Sequence, residues 1–185
     1  MEYFDVVDEN GLPTGQIVSR ERAHREAIPH RTAHVWIVRE KDGRTQVLLQ
    51  KRSQNKDAFP GMYDTSSAGH IPAGEEPLAS ALRELGEELG IKAEPEELTY
   101  IGSIRIRFDA VFHGKPFRDN EYSQVYLYRE PVEIETLHLQ ESEVESAAWF
   151  DLKDLAARAE KETDVFCMDP ASLRLLCGHL NQNKR

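Results

Sequence analysis

Three glutamates on one predicted helix have the type and spacing that could support chemistry. Glu84, Glu87 and Glu88 stand at i, i+3 and i+4 within the helix predicted from Pro77 to Leu89. Carboxylates at these spacings are neighbours and repel one another, so helix stability alone does not favour the cluster. Several close carboxylate oxygens are the ligands that Mg²⁺ or Mn²⁺ prefers. Alone, the three residues are more typical of a solvated acidic face, the usual setting for a run of charge.

The surrounding sequence favours the metal-binding interpretation. Residues 69–91 read Gly-His-Ile-Pro-Ala-Gly-Glu-Glu-Pro-Leu-Ala-Ser-Ala-Leu-Arg-Glu-Leu-Gly-Glu-Glu-Leu-Gly-Ile. This segment resembles the Nudix box, Gly-x5-Glu-x7-Arg-Glu-U-x-Glu-Glu-x-Gly-U, where U is a bulky aliphatic residue. Every specified position of the box is matched, by Gly69, Glu75, Arg83, Glu84, Leu85, Glu87, Glu88, Gly90 and Ile91.

The resemblance to the Nudix family implies a fold, a metal site and a reaction. The implied fold is an α/β fold, the Nudix-type α/β/α sandwich with a mixed sheet, here with a C-terminal helical extension. The residues that match Glu84, Glu87 and Glu88 hold the metal ion, Mg²⁺ or Mn²⁺, and Glu75 is a supporting carboxylate. Arg83 can pair with Glu87 on the next turn or reach back to Glu75 and orient the ligands.

Segments outside the box carry a second resemblance. Residues 28–33 (Ile-Pro-His-Arg-Thr-Ala), 48–53 (Leu-Leu-Gln-Lys-Arg-Ser) and 59–63 (Phe-Pro-Gly-Met-Tyr) are similar to type 1 isopentenyl-diphosphate isomerase, a member of the same superfamily. That enzyme carries its catalytic Cys in an Asn-Thr-x-Cys-x-His loop. In residues 65–70 here, His70 is retained but Ala68 stands at the Cys position. A methyl group cannot transfer a proton, and the isomerase has a degraded Nudix box, so both departures favour hydrolysis.

The isomerase also has a metal site of histidines and glutamates, to which several residues here correspond. His30 and His70 match two of the histidines, and Asp119 and Glu121 match a Glu-x-Glu pair. His24 is an approximate match, because its spacing to His30 is one residue shorter. Imidazoles and carboxylates together suit Mn²⁺, Zn²⁺ or Fe²⁺ better than Mg²⁺.

Three interpretations of these residues stay open. They form a vestigial metal site, or His30 and His70 hydrogen-bond Glu121 and position it as a base, or they are ordinary loop and core histidines. The first two require both rings within about 6 Å of the Glu121 carboxylate, the range of direct contact or a strong charge effect.

The two resemblances together predict a Nudix hydrolase that cleaves a diphosphate linkage in a nucleoside diphosphate derivative or related small molecule. The candidate catalytic residues are Glu88, Glu121 and Glu87, and the choice of general base between Glu88 and Glu121 is open. Two alternatives are an isopentenyl-diphosphate isomerase-like enzyme or binder and a non-catalytic nucleotide-sensing module. The complete box disfavours the module, because such modules usually lose box carboxylates.

Cationic and aromatic residues are candidates for substrate contacts. Lys51 and Arg52 are predicted to contact phosphate, with Arg105 or Arg107 as further candidates, although exposed strand cations are more often solvated. Aromatic residues that could stack a base are too scattered along the chain to rank; they include Trp36, Tyr63, Phe108 and Tyr122.

Composition limits the partners of the chain. The 185 residues carry a formal net charge of −10, which disfavours binding to nucleic acid or an anionic membrane. No apolar run approaches the roughly 20 residues that span a bilayer, and the N-terminus is acidic where a signal peptide is basic. We therefore expect a cytoplasmic protein, a monomer or homodimer, whose residues 1–185 form a single domain.

The predicted elements place these residues. Strands are expected at 3–7, 14–19, 33–38, 46–50, 98–106, 122–128 and 147–150, and helices at 20–26, 77–89, 152–161 and 170–180. Residues 61–74 are predicted to form a loop, Asp42-Gly43 to close a hairpin, and the C-terminal helices to cover about 152–183.

Overall fold

The computed structural model describes residues 1–182. In chain order its elements are β1 (Tyr3–Val7), β2 (Pro13–Ser19), α1 (Arg20–Glu26), β3 (His30–Lys41), β4 (Arg44–Arg52), β5 (Tyr63–Asp64), β6 (Ser67–His70), α2 (Pro77–Leu89), β7 (Leu98–Phe112), β8 (Lys115–Tyr128), β9 (Val144–Asp151), α3 (Leu152–Arg158) and α4 (Pro170–Gln182). Short 3₁₀ turns lie at Pro95–Glu97 and Ile134–Thr136.

Seven strands form a mixed sheet at the centre of the fold. Its main order is β5-β4-β3-β8-β7, with β6 added to β3 and β9 added to β4. Strand β3 pairs antiparallel with β4 and β6 and parallel with β8. The first half of β3 therefore has β6 on one side and β8 on the other, which brings residues distant in sequence beside its N-terminal end.

Both faces of the sheet are buried, and for this reason β3 and β4 have nearly continuous apolar runs. On one face, Val35, Ile37 and Leu48 pack against Leu85 and Leu89 of α2. On the other face, alternate residues of the same strands pack against α3 and α4. The strand residues are Trp36, Val38, Val47 and Leu49, and the helix residues include Leu155, Leu173 and Leu176. This layering is the expected α/β/α sandwich, and the expected fold class is confirmed.

Helix α2 has the predicted bounds, and local chemistry explains both ends. Pro77 occupies its first turn, where the missing N–H removes no intrahelical hydrogen bond. Gly90 ends the helix in the left-handed conformation, with φ of +72°, and its N–H donates to the carbonyl of Gly86. A glycine at this position avoids the steric cost of a side chain at positive φ.

A small N-terminal layer covers one end of the sheet. Strands β1 and β2 pair with each other, and Phe4 and Val18 pack with Ala23 of α1 in a separate apolar cluster. Phe4 is fully buried, and its ring stacks on those of His30 and His70 with centroids 5.0 and 4.6 Å apart. This layer thereby fixes the orientation of two imidazoles.

Several predicted bounds were wrong in an informative way. The segment 61–74 is not simply a loop, because β5 and β6 lie within it and hydrogen-bond to β4 and β3. Strands β7 and β8 extend well beyond the predicted 98–106 and 122–128 into a long hairpin. Helix α3 ends earlier than predicted, at Arg158, and α4 ends later than predicted, at Gln182. Residue 183, the last of the predicted helical region, lies outside the described residues. Within residues 1–182, no helix has the length and apolar character to cross a membrane.

Candidate active site

Glu88 is the most deeply buried of the box glutamates, contrary to a solvated acidic face. Its Oε2 accepts hydrogen bonds from the Ser67 hydroxyl at 2.7 Å, the Ala68 N–H at 3.2 Å and the Gln50 amide at 3.3 Å. Burial raises its pKa to about 8, against the opposing effects of the Ser67 and Ala68 hydrogen bonds and the positive charge of Lys56. The side chain therefore faces the sheet between α2 and β6.

Arg83 connects the other carboxylates of the box. Its Nη1 lies 2.8 Å from Glu84 and 3.0 Å from Glu87, and its Nε lies 3.6 Å from Glu75. Its Nη2 donates to the backbone carbonyl of His70 at 3.2 Å. Both predicted contacts of Arg83, with Glu87 and with Glu75, are present. The guanidinium therefore ties α2 to the loop and strand that precede it.

Gly69 has a steric role beside Glu84. A Cβ atom at position 69 would lie 2.1 Å from the Glu84 carboxylate, far inside van der Waals contact. Burial raises the pKa of Glu84, while the charge of Arg83 opposes the rise. The glycine of the box thus leaves the space in which this carboxylate lies against β6.

A second cluster lies at the N-terminal end of β3. His24, His30, His70 and Glu121 each offer one ligand atom, and these atoms all lie within 4.8 Å of one another. The Glu121 Oε1 is 3.5 Å from His70 Nε2 and 3.9 Å from His30 Nε2. These distances are well inside the 6 Å that both functional hypotheses for the histidines required. Among residues 1–182, no other group of three or more potential ligands lies this close together. Glu84, Glu87 and Glu88 do not form such a group.

Backbone carbonyls define the tautomers of two histidines. The Nδ1 atom of His24 lies 2.9 Å from the Arg20 carbonyl, and that of His30 lies 2.8 Å from the Ile28 carbonyl. A carbonyl only accepts hydrogen bonds, so each Nδ1 carries a proton and each Nε2 is the ring nitrogen that faces the cluster. His30 is fully buried and its Nε2 has no hydrogen-bond partner among the described residues. The Nε2 atoms are therefore the ones available as metal ligands.

Carboxylates add to that centre. His24 Nε2 lies 3.2 Å from His70 Nε2 and 3.1 Å from Asp119 Oδ1, although the latter contact lacks hydrogen-bond geometry. Burial raises the pKa of Glu121 well above its ordinary value, and the nearby Asp119 raises it further. Together these groups bring imidazole nitrogens and carboxyl oxygens to one point.

His30 and His70 stay neutral in this environment. Burial lowers the pKa of His30 to about 4, and burial also lowers the pKa of His70 well below its ordinary value. The positive charge of Arg20 contributes to both shifts. Neutral imidazoles are the form that binds metal ions.

The predicted phosphate contacts are engaged with carboxylates. Lys51 pairs with Glu145 at 2.7 Å, and Arg52 pairs with Asp64 at 3.0 Å and donates to the Ala58 carbonyl. Another candidate, Arg105, donates to the Asn120 amide oxygen, which turns it away from the clusters. Arg52 is therefore already held by Asp64 and the Ala58 carbonyl.

Two cations that the sequence analysis did not select lie near the clusters. The charge of Arg20 acts on His30, His70 and Glu121, and the charge of Lys56 acts on Glu88 and His70. Lys56 lies in the loop of residues 53–62, between β4 and β5, and forms an ion pair with Glu143. No spacing rule marks either residue, because each reaches the site through tertiary structure.

Comparison with known proteins identifies the family of the chain. The family model of the NUDIX domain matches residues 28–168. The chain belongs to the Nudix hydrolase family. It is 38% identical over 163 residues to an uncharacterized Nudix hydrolase of Clostridium acetobutylicum, covering 88% of this chain and 76% of that protein. Nudix hydrolase 3 of Arabidopsis thaliana is also 38% identical, over 167 residues that cover 89% of this chain but 21% of that longer protein.

A solved structure shares the Nudix fold of this chain. The crystal structure of DR0079 from Deinococcus radiodurans superposes with a TM-score of 0.69 at 19% identity, covering 94% of this chain and 97% of that one. At that identity the likeness concerns the fold alone. Family membership makes this Nudix hydrolase an enzyme that acts on phosphorus-containing acid anhydrides.

Proposed function

We propose that this Nudix hydrolase cleaves a diphosphate linkage in a nucleoside diphosphate derivative in a metal-dependent reaction. The observation that carries the proposal is the state of two buried carboxylates, Glu88 and Glu121. Within residues 1–182, no Lys or Arg nitrogen lies within 4.0 Å of either carboxylate. A buried, ionised carboxylate without a cationic partner is costly, and a divalent cation shared with substrate phosphates removes that cost.

The box carboxylates fit Mg²⁺ or Mn²⁺. Glu84, Glu87 and Glu88 would hold the ion, because all three are hard oxygen donors on consecutive turns of α2. When bound, the ion supplies Lewis-acid polarisation of the phosphoryl oxygens. Arg83 and Glu75 position these ligands through the ion pairs described above.

A buried carboxylate takes the proton from the attacking water. Glu88 and Glu121 both qualify, because each is a buried carboxylate without a Lys or Arg partner among the described residues. Glu87 is half exposed and paired with Arg83, so it is better suited to metal binding. Comparison of Glu88→Gln and Glu121→Gln pH–rate profiles separates the two, because only the base variant loses the limb that reports its deprotonation.

The histidine cluster fits a second metal ion of a different kind. His24, His30, His70 and Glu121 would be the ligands, and Asp119 lies beside them. Imidazoles with a carboxylate favour Zn²⁺, Mn²⁺ or Fe²⁺. The unpartnered His30 Nε2 and the carbonyl-bound Nδ1 atoms match the arrangement of metal-ligating histidines, in which the second nitrogen is held by a hydrogen bond.

Four cations are available for the phosphates of the substrate. Lys51 and Arg52 were expected in this role, and Arg20 and Lys56 add positive charge nearer the clusters. The partner of Lys56, Glu143, is part-exposed, and surface ion pairs contribute only about 0–1 kcal/mol. Exchange of Glu143 for a substrate phosphate therefore costs little. Arg52 would have to exchange its partner Asp64 in the same way.

The similarity to isopentenyl-diphosphate isomerase concerns the scaffold in this proposal. Ala68 lies on β6 with its N–H bonded to Glu88, at the position where the isomerase carries its catalytic Cys. Its methyl group has no proton to exchange, so the catalytic step of that enzyme is absent.

A hydrolysis assay tests the proposal. Nucleoside di- and triphosphates, nucleotide sugars, dinucleoside polyphosphates and isoprenoid diphosphates are incubated with Mg²⁺, and monophosphate products are measured. EDTA should abolish turnover, and Glu88→Gln should lower kcat by at least about 100-fold, the scale of a lost electrostatic or proton-transfer contribution. Full activity of Glu88→Gln, still dependent on metal, would contradict the assignment.

A further inference from the structure

The four aromatic residues that were candidates for stacking a base have different environments in the structure. Trp36 is buried in the core, and its Nε1 donates to Ser172 at 3.0 Å. Tyr63 packs against Phe150 on the α4 side of the sheet. The Tyr122 hydroxyl donates to the Glu9 carbonyl, and its ring lies under Arg105. Phe108 has a different environment, on the long hairpin of β7 and β8.

One face of this hairpin leads to the histidine cluster. Phe108 is the direct cross-strand partner of Asp119, and Ile106 is the partner of Glu121. Because side chains alternate along a strand, Phe108 and Phe112 share the face that carries these two carboxylates. On the same face, the Phe117 ring stacks on that of His24 at 4.7 Å and 14°. The aromatic face and the histidine cluster are therefore continuous.

A fourth ring, from the loop at 53–62, reaches this face. The centroid of Phe59 lies 5.1 Å from that of Phe108 and 5.2 Å from that of Phe112. Phe59 has φ of +52°, a conformation that is uncommon and strained for a bulky residue and that persists where its surroundings hold it. It belongs to the same loop as Lys56, the cation near Glu88. This loop thus brings a cation and an aromatic ring to the site together.

We propose that Phe59, Phe108 and Phe112 form an aromatic subsite that stacks the base of the substrate. The inference rests on the proposed hydrolysis of a nucleoside diphosphate derivative and identifies where its base binds. All three rings are half-buried, so a stacked base keeps its polar edges in water. A hydrocarbon tail would gain more from an enclosed pocket than from these half-open rings.

Base identity should matter little at this subsite. Phenylalanine rings have no hydrogen-bonding atoms, so they recognise the face of a base and not its edge. Purines, which present a larger face, should bind more tightly than pyrimidines, while adenine and guanine should bind alike.

Equilibrium binding with Mg²⁺ tests the subsite without turnover. The ligands are analogues of ADP, GDP and UDP with a methylene bridge in place of the anhydride oxygen, methylenediphosphonate alone, and the prenyl analogue of the same type. Phe108→Leu should weaken binding of the ADP analogue by about tenfold, the scale of one base–aromatic stack. Binding of methylenediphosphonate should not change, which also reports an intact fold. Phe59→Leu should give the same pattern, and Phe108→Trp should strengthen purine binding.

The control is Tyr100→Leu on the same strand. Its ring packs with Tyr126, 5.7 Å away, at the other end of β7, and its loss should leave both affinities unchanged. Equal losses for the ADP analogue and methylenediphosphonate in Phe108→Leu would overturn the subsite. The subsite would also be overturned if the prenyl analogue bound more tightly than the ADP analogue and if Phe108→Leu removed that difference. Failure of the proposed hydrolysis would appear separately, as the absence of Mg²⁺-dependent monophosphate release from every nucleotide in the assay.

Discussion

The carboxylate of Glu121 and the imidazole of His70 approach to 3.5 Å although they belong to strands on opposite sides of β3. His70 ends β6, and Glu121 lies on β8 directly beside His30 of β3. The mixed pairing of β3 therefore assembles the cluster. Its imidazole Nε2 atoms and carboxyl oxygens face one another, an arrangement that a bound cation would stabilise.

Metal binding by this cluster is the first prediction. Zn²⁺ should bind to the protein in competition with a chromophoric chelator and should raise the melting temperature as ligand binding to the folded state requires. His70→Gln should weaken Zn²⁺ binding by at least about tenfold, since even residues that only support metal ligands cost that much. His113→Asn is the matched control, because His113 is exposed in the turn between β7 and β8. Equal Zn²⁺ affinity in the two variants would refute the site.

The sequence predicted the box helix well because its information is local. Pro77, Gly90 and leucines at helical spacing (Leu78, Leu82, Leu85 and Leu89) define α2 and its bounds without reference to other elements. The histidine cluster depended instead on strand pairing. Family resemblance indicated His30 and His70, but His24 matched only approximately because α1 and its turn set the position of that ring, and spacing along the chain does not report it.

Burial was the main property that the sequence could not provide. The i, i+3 and i+4 spacing places Glu84, Glu87 and Glu88 together on one side of the helix, yet β6 packs against α2 and buries Glu88. Lys56 and Arg20 were missed for the same reason, since loop 53–62 and α1 bring them to the site in three dimensions. The predicted strands of the β7–β8 hairpin were too short. Its outer part pairs only β7 with β8, and charged residues interrupt the apolar residues there, so the sequence has no continuous apolar run.

The second prediction concerns isomerisation. The protein should not convert isopentenyl diphosphate to dimethylallyl diphosphate, because Ala68 has no group that can donate or accept a proton. Product formation is followed with Mg²⁺ and Zn²⁺ both present, so that neither metal site limits the assay. Turnover near one per second, at the low end of common enzyme rates, would show that another residue, with Ser67 and Tyr63 the first to examine, supplies the proton.

Substitution at two glycines gives a third prediction. Gly69→Ala should lower kcat by about tenfold or more, because its Cβ would meet the Glu84 carboxylate at 2.1 Å and displace a metal ligand. Gly86→Ala is the control on the same helix. A Cβ there meets only the Ile91 carbonyl, at 3.8 Å, and alanine should stabilise the helix by up to about 1 kcal/mol. Measurement of kcat and of urea unfolding separates the two effects, and normal kcat in Gly69→Ala would contradict the role of Gly69.

The last prediction follows from the pKa of Glu88. Burial raises this pKa from an ordinary value near 4.5 to about 8 in the folded protein. Between those values the folded state binds more protons at Glu88 than the unfolded state does. The free energy of unfolding therefore falls as pH rises through this window, by at most about 1.4 kcal/mol per pH unit from this group. Gln cannot titrate, so Glu88→Gln removes this slope.

Urea unfolding in EDTA from pH 5 to pH 9 measures the effect. The free energy of unfolding of Glu88→Gln minus that of the wild type should increase with pH and level off above pH 8, since other titrating groups cancel in the difference. Ser67→Ala gives an independent check. Loss of the 2.7 Å hydrogen bond to the charged carboxylate should raise the pKa of Glu88 further, so this variant should lose more stability than the wild type up to a higher pH. A difference between Glu88→Gln and the wild type that does not vary with pH would show that Glu88 is ionised in the metal-free fold.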